Sequence, residues 1–594
     1  MQDAETVLEV LRERGRKGLP LTQLYRQMFN PAMYLLAYGR IYSNQGAMTP
    51  GASAETADGM SEDKIGQIIE LMRSERYRFS PARRVYIPKK NGKLRPLGLP
   101  AWSDKLVGEV VRLLLEAYYE PQFSDRSHGF RKGRGCHTAL RDIRQTWGGT
   151  VWFVEGDISD CYGSIDHQVM LSILAEKIHD NRFLRLISHM LKAGYLEDWV
   201  YHDTLSGCPQ GGIVSPILSN IYLDKLDKFV EQELIPQYTR GDTRSPNPAY
   251  TRVKDRLRSA RRAGDRAGAR DLTRQMRSLP SKDPADPGFR RLKYTRYADD
   301  HLLGFIGPRA EAEEIKARLA RFLRETLRLE LNQDKTLITH GRDSAARFLG
   351  YDITVQHCNT KITSGQRSAN GTIALRVPAE VVRAQCARYR HRGRPWHRSR
   401  LQNLPDYDIV RIYGAEYRGV VNYYLLAQNV WWLHTLRWYA ETSMLKTLAA
   451  KHHSTVTEMA SRHKTKVITS DGPRTCFEAR LKRNGKQDLI ARFGGIILRQ
   501  DRRAVITDPA PVTAHYPRKE LVHRLRKRRC ELCELCEQGT TVAVHQVATL
   551  SKLGRPGTGQ PAWAALMAKK RRKTLIVCAN CHDWIHANPV AHAA

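Results

Sequence analysis

The sequence predicts an α+β chain of several domains. Apolar runs of strand length alternate with amphipathic helical stretches, and 594 residues exceed what one core organises, so three to five domains are expected. The cysteines set the tail apart. Of 11, Cys530, Cys533, Cys536, Cys578 and Cys581 crowd into the last 65 residues, and the rest are scattered like thiols of a reducing compartment.

Hydrophobic residues make up 41% of the chain, enough for packed cores. No apolar run reaches about 18 residues, so no membrane span is expected. The start, Met1 to Glu5, is neither basic nor apolar and does not read as a secretory signal. A net charge of +36 points to a polyanionic partner, with nucleic acid first.

Residues 1–80 read as mostly helical, with Leu8, Leu11, Ile65, Ile68 and Met72 at helical spacings. Asn91-Gly92 then lies between two extended runs, a strong signal for a two-residue hairpin. It carries Arg83, Arg84, Lys89, Lys90, Lys93 and Arg95. Such a hairpin is either a solvated charged ribbon or a basic flap over phosphates. Residues 101–120 form a helix with Leu106, Val110 and Leu114 on one face. In the loop Gly129–Gly135, glycines would let the backbone approach a phosphate chain beside Arg131, Lys132 and Arg134.

The apolar run Val151–Gly156 ends at Asp157, and Tyr162 follows early in the next helix. The stiff loop Ser206–Pro216, which contains Gln210, leads into the helix Ile217–Leu226. Residues 240–296 hold 17 Lys/Arg against 6 Asp/Glu, with an expected basic helix Val253–Met276 between Pro-rich flanks. They read as an insertion, either a solvated surface or an RNA-contacting arm.

Next comes Tyr294–Asp300, followed by the strand-like run Leu302–Ile306. Adjacent Asp299 and Asp300 repel, so the pair holds a cation or a proton unless it is a solvated turn. Asp157 ends a second strand-like run, and convergence of the two strand ends would make a hard divalent-ion site for phosphoryl transfer. From 378 to 465 the pattern is helical and aromatic-rich, with Tyr413, Tyr417, Trp431 and Trp438 among Arg411, Arg418 and Arg437. These rings belong to a core or support a nucleic-acid groove. Residues 466–529 read as short polar pieces ending in a basic run.

In the tail, Cys533-x-x-Cys536 and Cys578-x-x-Cys581 have the pairing of a tetrahedral Zn²⁺ site, with Cys530 leaving a shifted register open. His582 and His586, four apart, share a helix face, and His545 precedes them.

The blocks IPKKNGKLRPLGLP, HGFRKGRG, GDISDCYGSIDH, GCPQGGIVSPILSNIYL, YADD, LELNQDKT and FLGY, in this order, resemble the proteins encoded by bacterial group II introns. The stretch RIYGAEYRGVVNYYLLAQN resembles their maturase region, and the tail resembles their HNH endonuclease domain. The resemblance implies a right-hand polymerase. Fingers and palm would span residues 1–370 with the basic insertion 240–296, and a helical thumb/maturase (X) domain 371–465. A DNA-binding region 466–529 and a zinc-stabilised ββα-metal HNH-like domain 530–594 would follow. Mg²⁺ would be held by Asp157, Asp299 and Asp300, with the Ile158 carbonyl as a further ligand.

Lys89 and Arg95 would grip the incoming dNTP, Tyr162 would face its ribose, and Gln210 would lie near the nascent base pair. Zn²⁺ would sit on Cys533, Cys536, Cys578 and Cys581, and a divalent ion on His545, His582 and His586. The family usually has His-His where this chain has His545-Gln546, and an amide cannot accept the proton a general base must take. The implied partners are the intron RNA and target DNA, with no membrane, in the bacterial cytoplasm and on the nucleoid when acting on DNA. A splicing-only maturase and a reverse transcriptase of another bacterial system are the alternatives.

Overall fold

The computed structural model describes residues 3–42, 49–53, 55, 57, 60–88, 92, 94–198, 200–204, 206–207, 212–358, 360–363, 366–367, 369–483, 486–506, 533–538, 542–547, 553, 560–570 and 574–590. Three clusters of buried apolar residues organise them.

The first cluster joins the N-terminal helices to the centre of the chain. Helix α1 (Pro31–Ile41) starts from the N-cap Asn30, whose side chain accepts from the Ala32 N–H, with Pro31 in the first turn. Strands β1 (Ala82–Pro88) and β2 (Leu94–Leu99) form a hairpin, paired from Arg83↔Leu99 to Pro88↔Leu94. This register leaves an odd number of residues between the strands, so the connection is not the two-residue turn expected from Asn91-Gly92. Helix α2 (Trp102–Tyr119) buries Leu106, Val110 and Leu114 in this core.

A four-stranded sheet lies at the centre of this region. Its members are β3 (Trp152–Gly156), β4 (Arg291–Tyr297), β5 (Asp300–Ile306) and β6 (Ile338–His340), in the order β4-β5-β3-β6, every pair antiparallel. Helix α3 (Ser215–Phe229) buries Leu218, Tyr222 and Leu226, and α6 (Arg309–Leu327) buries Ile315, Leu319 and Leu323 in the same core.

Between α3 and β4 the insertion is a helical arm. The expected single helix is two, α4 (Pro248–Arg262) and α5 (Arg266–Ser278). Gly264 takes φ +73°, in the left-handed region, and Asp265 restarts the chain as an N-cap accepting from the Gly268 N–H. Val253 and Leu257 are the buried residues of α4, and α5 buries none. Two bridges form the neck, Arg240↔Arg290 and Pro246↔Lys282. Asp286 Oδ2 clamps it by accepting from Ser245 N at 2.6 Å and Ser245 Oγ at 2.8 Å. The arm ends where β4 begins.

The second cluster joins Trp147, Phe153 of β3 and Leu302 of β5 to helices α7 (Asp406–Tyr423) and α8 (Leu433–His452). Tyr413 and Tyr417 are buried in it, whereas Trp431 and Trp438 are exposed. The stretch after 465, expected as short polar pieces, contains a sheet of β7 (Lys464–Thr469), β8 (Gly472–Arg483) and β9 (Lys486–Gly494). It lies on α7, with the rings of Tyr417 and Phe493 at 5.3 Å. The third cluster is the tail: β10 (Val542–Gln546) and β11 (Thr574–Cys578) pair antiparallel, and α9 (Ala579–Ala587) follows. No helix among the described residues is long and apolar enough to cross a membrane.

Candidate active site and metal centres

Strand register assembles the three expected carboxylates. Strands β4 and β5 pair from Arg291↔Ile306 to Tyr297↔Asp300, which leaves Ala298 and Asp299 as a two-residue turn. Ala298 takes φ +56°, which such turns usually assign to Gly or Asn. On its other edge β5 pairs with β3 up to Gly156↔His301. One step further along that register, Asp157 stands across from Asp300.

A buried arginine props the turn. Arg296 donates from Nε and Nη2 to Asp227 at 2.7 and 2.6 Å. Nη1 donates to the Ala298 carbonyl at 2.8 Å and Asn220 Oδ1 at 3.2 Å, and Nη2 to Ser127 Oγ at 2.9 Å. All five N–H donors of the guanidinium are thereby used. The loop Gly129–Gly135 serves the same turn. A Cβ on Gly129 would stand 2.4 Å from the Ala298 nitrogen. Arg131, expected beside a phosphate chain, is buried and bonded to Ser124 O, Ser127 O and Glu120. Close backbone packing uses this glycine, so Arg131 supports the fold.

The carboxylates feel one another. Burial raises the Asp299 pKa, and the charge of Asp157 adds to it. The protein mass around Asp300, then Asp299 and Asp157, raise Asp300 to about 6, although its side chain keeps a path to solvent. Lys335 Nζ stands 2.9 Å from Asp157 Oδ2, and that bond raises the lysine pKa. The site therefore already draws a cation, and its all-oxygen donors suit a hard divalent ion that keeps water or phosphate ligands. Its geometry is open. Among the described residues, sets of ligand atoms all within 4.8 Å of one another occur at two places, both in the tail.

The other expected residues divide. The Arg95 side chain is exposed on β2, and its charge opposes the rise at Asp299, so the hairpin faces the carboxylates. Tyr162 is half-buried on the short helix Cys161–Ser164. The next loop packs on this turn through Gly207 N to Ile165 O, 2.7 Å, and Ser206 Oγ to Gly163 O, 3.0 Å. Ile158 bridges Leu331, and the bridge is closed by Ser159 N to Glu330 O and Asn332 N to Asp157 O. That pattern turns the Ile158 carbonyl away from the bridged strand. Lys89 and Gln210 lie outside the described residues.

Sequence reasoning assigned no role to Arg296, Lys335 or His301. His301 is buried and lowered to about 4 by burial, so it is neutral behind the carboxylates. A Cβ on Gly156 would stand 1.9 Å from its ring. The unusual glycine before Asp157 was the available signal.

In the tail, the sulfurs of Cys533, Cys536, Cys578 and Cys581 lie within 4.8 Å of one another, as do the ring nitrogens of His545, His582 and His586. Burial opposes the Cys533 thiolate, but the N–H groups of Cys536, Cys578 and Leu535 outweigh it and lower the thiol to about 7. Cys581 shifts the other way, raised by burial and the neighbouring thiols. Four sulfurs gathered this closely fit Zn²⁺, which takes four such ligands in closed structural sites. Gln546 is buried, and its Nε2 donates to the Tyr42 carbonyl at 2.9 Å, just past α1. Strand alternation turns it away from the face of His545.

Three family profiles match the chain in order. "Reverse transcriptase (RNA-dependent DNA polymerase)" matches residues 87–353, "Type II intron maturase" 381–496, and "AI2M/AI1M-like, HNH endonuclease" 530–582. The group II intron-encoded protein LtrA of Lactococcus lactis subsp. cremoris is 38% identical over 607 aligned residues, which cover 98% of this chain and 99% of LtrA. The chain belongs to the group II intron-encoded proteins. This intron-encoded protein is a reverse transcriptase and maturase with an HNH-like endonuclease domain, and its chemistry is RNA-directed DNA polymerisation. It is also similar to the uncharacterized 91 kDa protein in the cob intron of Schizosaccharomyces pombe, 34% identical over 95% of this chain and 70% of that one. Protein YkfC of Escherichia coli K12 is 32% identical over 56% of this chain and 83% of YkfC.

Proposed function

We propose that this protein binds its own intron RNA, assists its splicing, and copies the intron into DNA at a target site by target-primed reverse transcription. The observation that carries the reading is the Ala298–Asp299 turn, held in register beside Asp157 at one end of the palm sheet.

Asp157, Asp299 and Asp300 are the residues that would hold Mg²⁺, with the Ile158 carbonyl as a further ligand. When bound, the ions supply activation of the primer 3′-hydroxyl and charge stabilisation of the leaving pyrophosphate. The protein's own contribution is placement and charge. Lys89 and Arg95 hold the incoming triphosphate. Tyr162 limits the space at the ribose, and Gln210 lies near the nascent base pair. Lys335, which stands on Asp157 here, would have to release it where Asp157 holds an ion.

Fingers and palm span residues 1–370 and the thumb begins near 371. The sheet of β7–β9 packs on α7, which supports counting it with the thumb. The tail holds Zn²⁺ on its four cysteines and contacts target DNA. Its three histidines are a divalent-ion site without the neighbouring base.

The test is primer extension on an RNA template with Mg²⁺. Asp299→Ala and Asp157→Ala are each expected to lower the rate on the order of a hundredfold or more. Unchanged extension in either variant overturns the assignment of these residues.

A further inference from the structure

We propose that the arm helices α4 and α5 form a docking surface for the sugar–phosphate backbone of double-helical RNA. The proposal rests on the reading of this chain as a protein that binds its intron RNA.

Helix α4 exposes Arg252, Lys254, Arg256, Arg258, Arg261 and Arg262. Helix α5 exposes Arg266, Arg270, Arg274 and Arg277. Against these ten cations stand Asp255 and Asp271, while Asp265 is occupied as the N-cap of α5. Among the described residues, the ion pair within the arm is Arg274–Asp271, at 3.6 Å with both side chains largely exposed. Other surface helices of the chain balance their cations, as Arg12–Glu9, Arg73–Glu70 and Arg309–Glu313 show. In the arm, Arg252 and Arg256, Arg258 and Arg262, and Arg266, Arg270 and Arg274 repeat at spacing four. Like charges at that spacing oppose the helix. A polyanion laid along the arm removes the opposition.

The chemistry narrows the partner. Nine of the ten cations named are arginines, whose planar fork matches phosphate oxygens in pairs. Tyr250 is the one aromatic residue between Pro248 and Ser278, so the arm lacks the stacking platform that unpaired bases require. Val253 and Leu257 of α4 are buried and Leu272 and Met276 of α5 are half-buried, so the arm presents no fully exposed apolar face to a lipid surface. What is left is recognition of a backbone, as in duplex RNA read by shape and phosphate contact. A 15-residue helix is about 22 Å long, a length over which a duplex presents on the order of a dozen phosphates. The neck makes the arm a fixed extension of the palm. Its Arg240↔Arg290 bridge is closed by hydrogen bonds of 3.1 and 3.0 Å, and β4 starts at the next residue.

The experiment uses the full chain with Arg258, Arg262, Arg266 and Arg270 all changed to Gln, and a second variant with the same four changed to Lys. Binding of a short duplex RNA, and of a DNA duplex of the same sequence, is titrated across salt concentrations. The Gln variant is expected to bind the RNA about tenfold or more weakly at about 0.1 M salt. Its log affinity against log salt should be shallower by about 3 to 4, since each phosphate contact contributes about 0.9. The Lys variant is expected to keep the wild-type slope. Unchanged RNA affinity and slope in the Gln variant overturn the proposal, as does a loss confined to the DNA duplex. Far-UV circular dichroism reads the folding of both variants, and a Lys variant that folds yet loses the slope also overturns it. Primer extension by the wild type is read separately. Its failure would remove the polymerase reading and leave the binding result standing.

Discussion

Arg296 and Asp227 form an ion pair in which neither side chain is exposed, with Nη2 and Oδ2 2.6 Å apart. The same guanidinium reaches the carbonyl of Ala298, the residue before Asp299. The pair therefore connects α3 to the Ala298–Asp299 turn. It also holds a non-glycine residue in the left-handed region, where an unsupported turn would relax.

Lysine at 296 keeps the charge but cannot make five hydrogen bonds in one plane. Arg296→Lys is expected to lose extension rate by about tenfold or more while keeping the fold. The apparent Mg²⁺ requirement should rise at the same time. Removing Asp227 instead leaves a buried, unpaired guanidinium, which costs about 3–5 kcal/mol. Asp227→Ala should therefore show a lower denaturation midpoint, read by urea titration. An Arg296→Lys enzyme with wild-type rate and Mg²⁺ dependence would show that the turn holds itself.

What the sequence made legible is what short patterns encode. The apolar runs Trp152–Gly156 and Leu302–Ile306 lie in strands, Asn91-Gly92 marks a hairpin though not its loop length, and the cysteine and histidine spacings assemble as two clusters. What it hid depends on register between distant segments. Arg296 meets Asp227 across 69 residues, Lys335 meets Asp157 across 178, and Gln546 meets Tyr42 across 504. Gly129 misled for the same reason. A glycine that admits a neighbouring backbone looks, in sequence, like one that admits a phosphate.

Asp104 gives the N-terminal core a pH-dependent stability. It is buried on α2 and accepts from Tyr77 Oη at 2.7 Å and Ser80 N at 3.0 Å. Burial raises it to about 6 in spite of those bonds. The folded chain thus keeps a proton that the unfolded chain releases near the ordinary carboxylate value of 3.8. Between these values the native state binds more protons, so this contribution falls as pH rises and is lost above about 6. At about 1.4 kcal/mol per pH unit, the loss is about 3 kcal/mol at neutral pH. Asp104→Asn is expected to flatten the stability profile between pH 4 and 6.5 (roughly, from the same linkage) and to raise the midpoint at neutral pH. Urea denaturation of both proteins at acidic and neutral pH decides it, and parallel profiles would rule the residue out.

Zinc should matter to the tail and not to the polymerase. The four sulfurs hold β11, the start of α9 and the Cys533–Cys536 turn together, so metal binding there is folding energy. Cys581→Ser is expected to lose bound zinc and to expose the tail to limited proteolysis, while primer extension stays unchanged. Zinc content by atomic absorption and the protease digestion pattern test this. A protected tail in a zinc-free variant would refute it.

The nuclease question turns on Gln546. His545, His582 and His586 have ring centroids 4.6 to 5.5 Å apart, so the ligand set is assembled. The neighbouring side chain is an amide, buried and bonded to the Tyr42 carbonyl. An amide takes no proton from water at neutral pH, and this one is held against the N-terminal part of the chain. Nicking of the second DNA strand by the wild type is therefore expected to be weak or absent, measured on an end-labelled duplex with Mg²⁺. Gln546→His supplies a base and should raise nicking. The gain should be modest, because a ring at 546 starts on the Tyr42 side and must turn to reach the metal-bound face. Gln546→Ala separates the two roles. It removes the contact without adding a base, so it should loosen the tail toward proteases and leave nicking at the wild-type level. Robust cleavage by the wild type would mean that another group serves as the base and that Gln546 is only a docking residue.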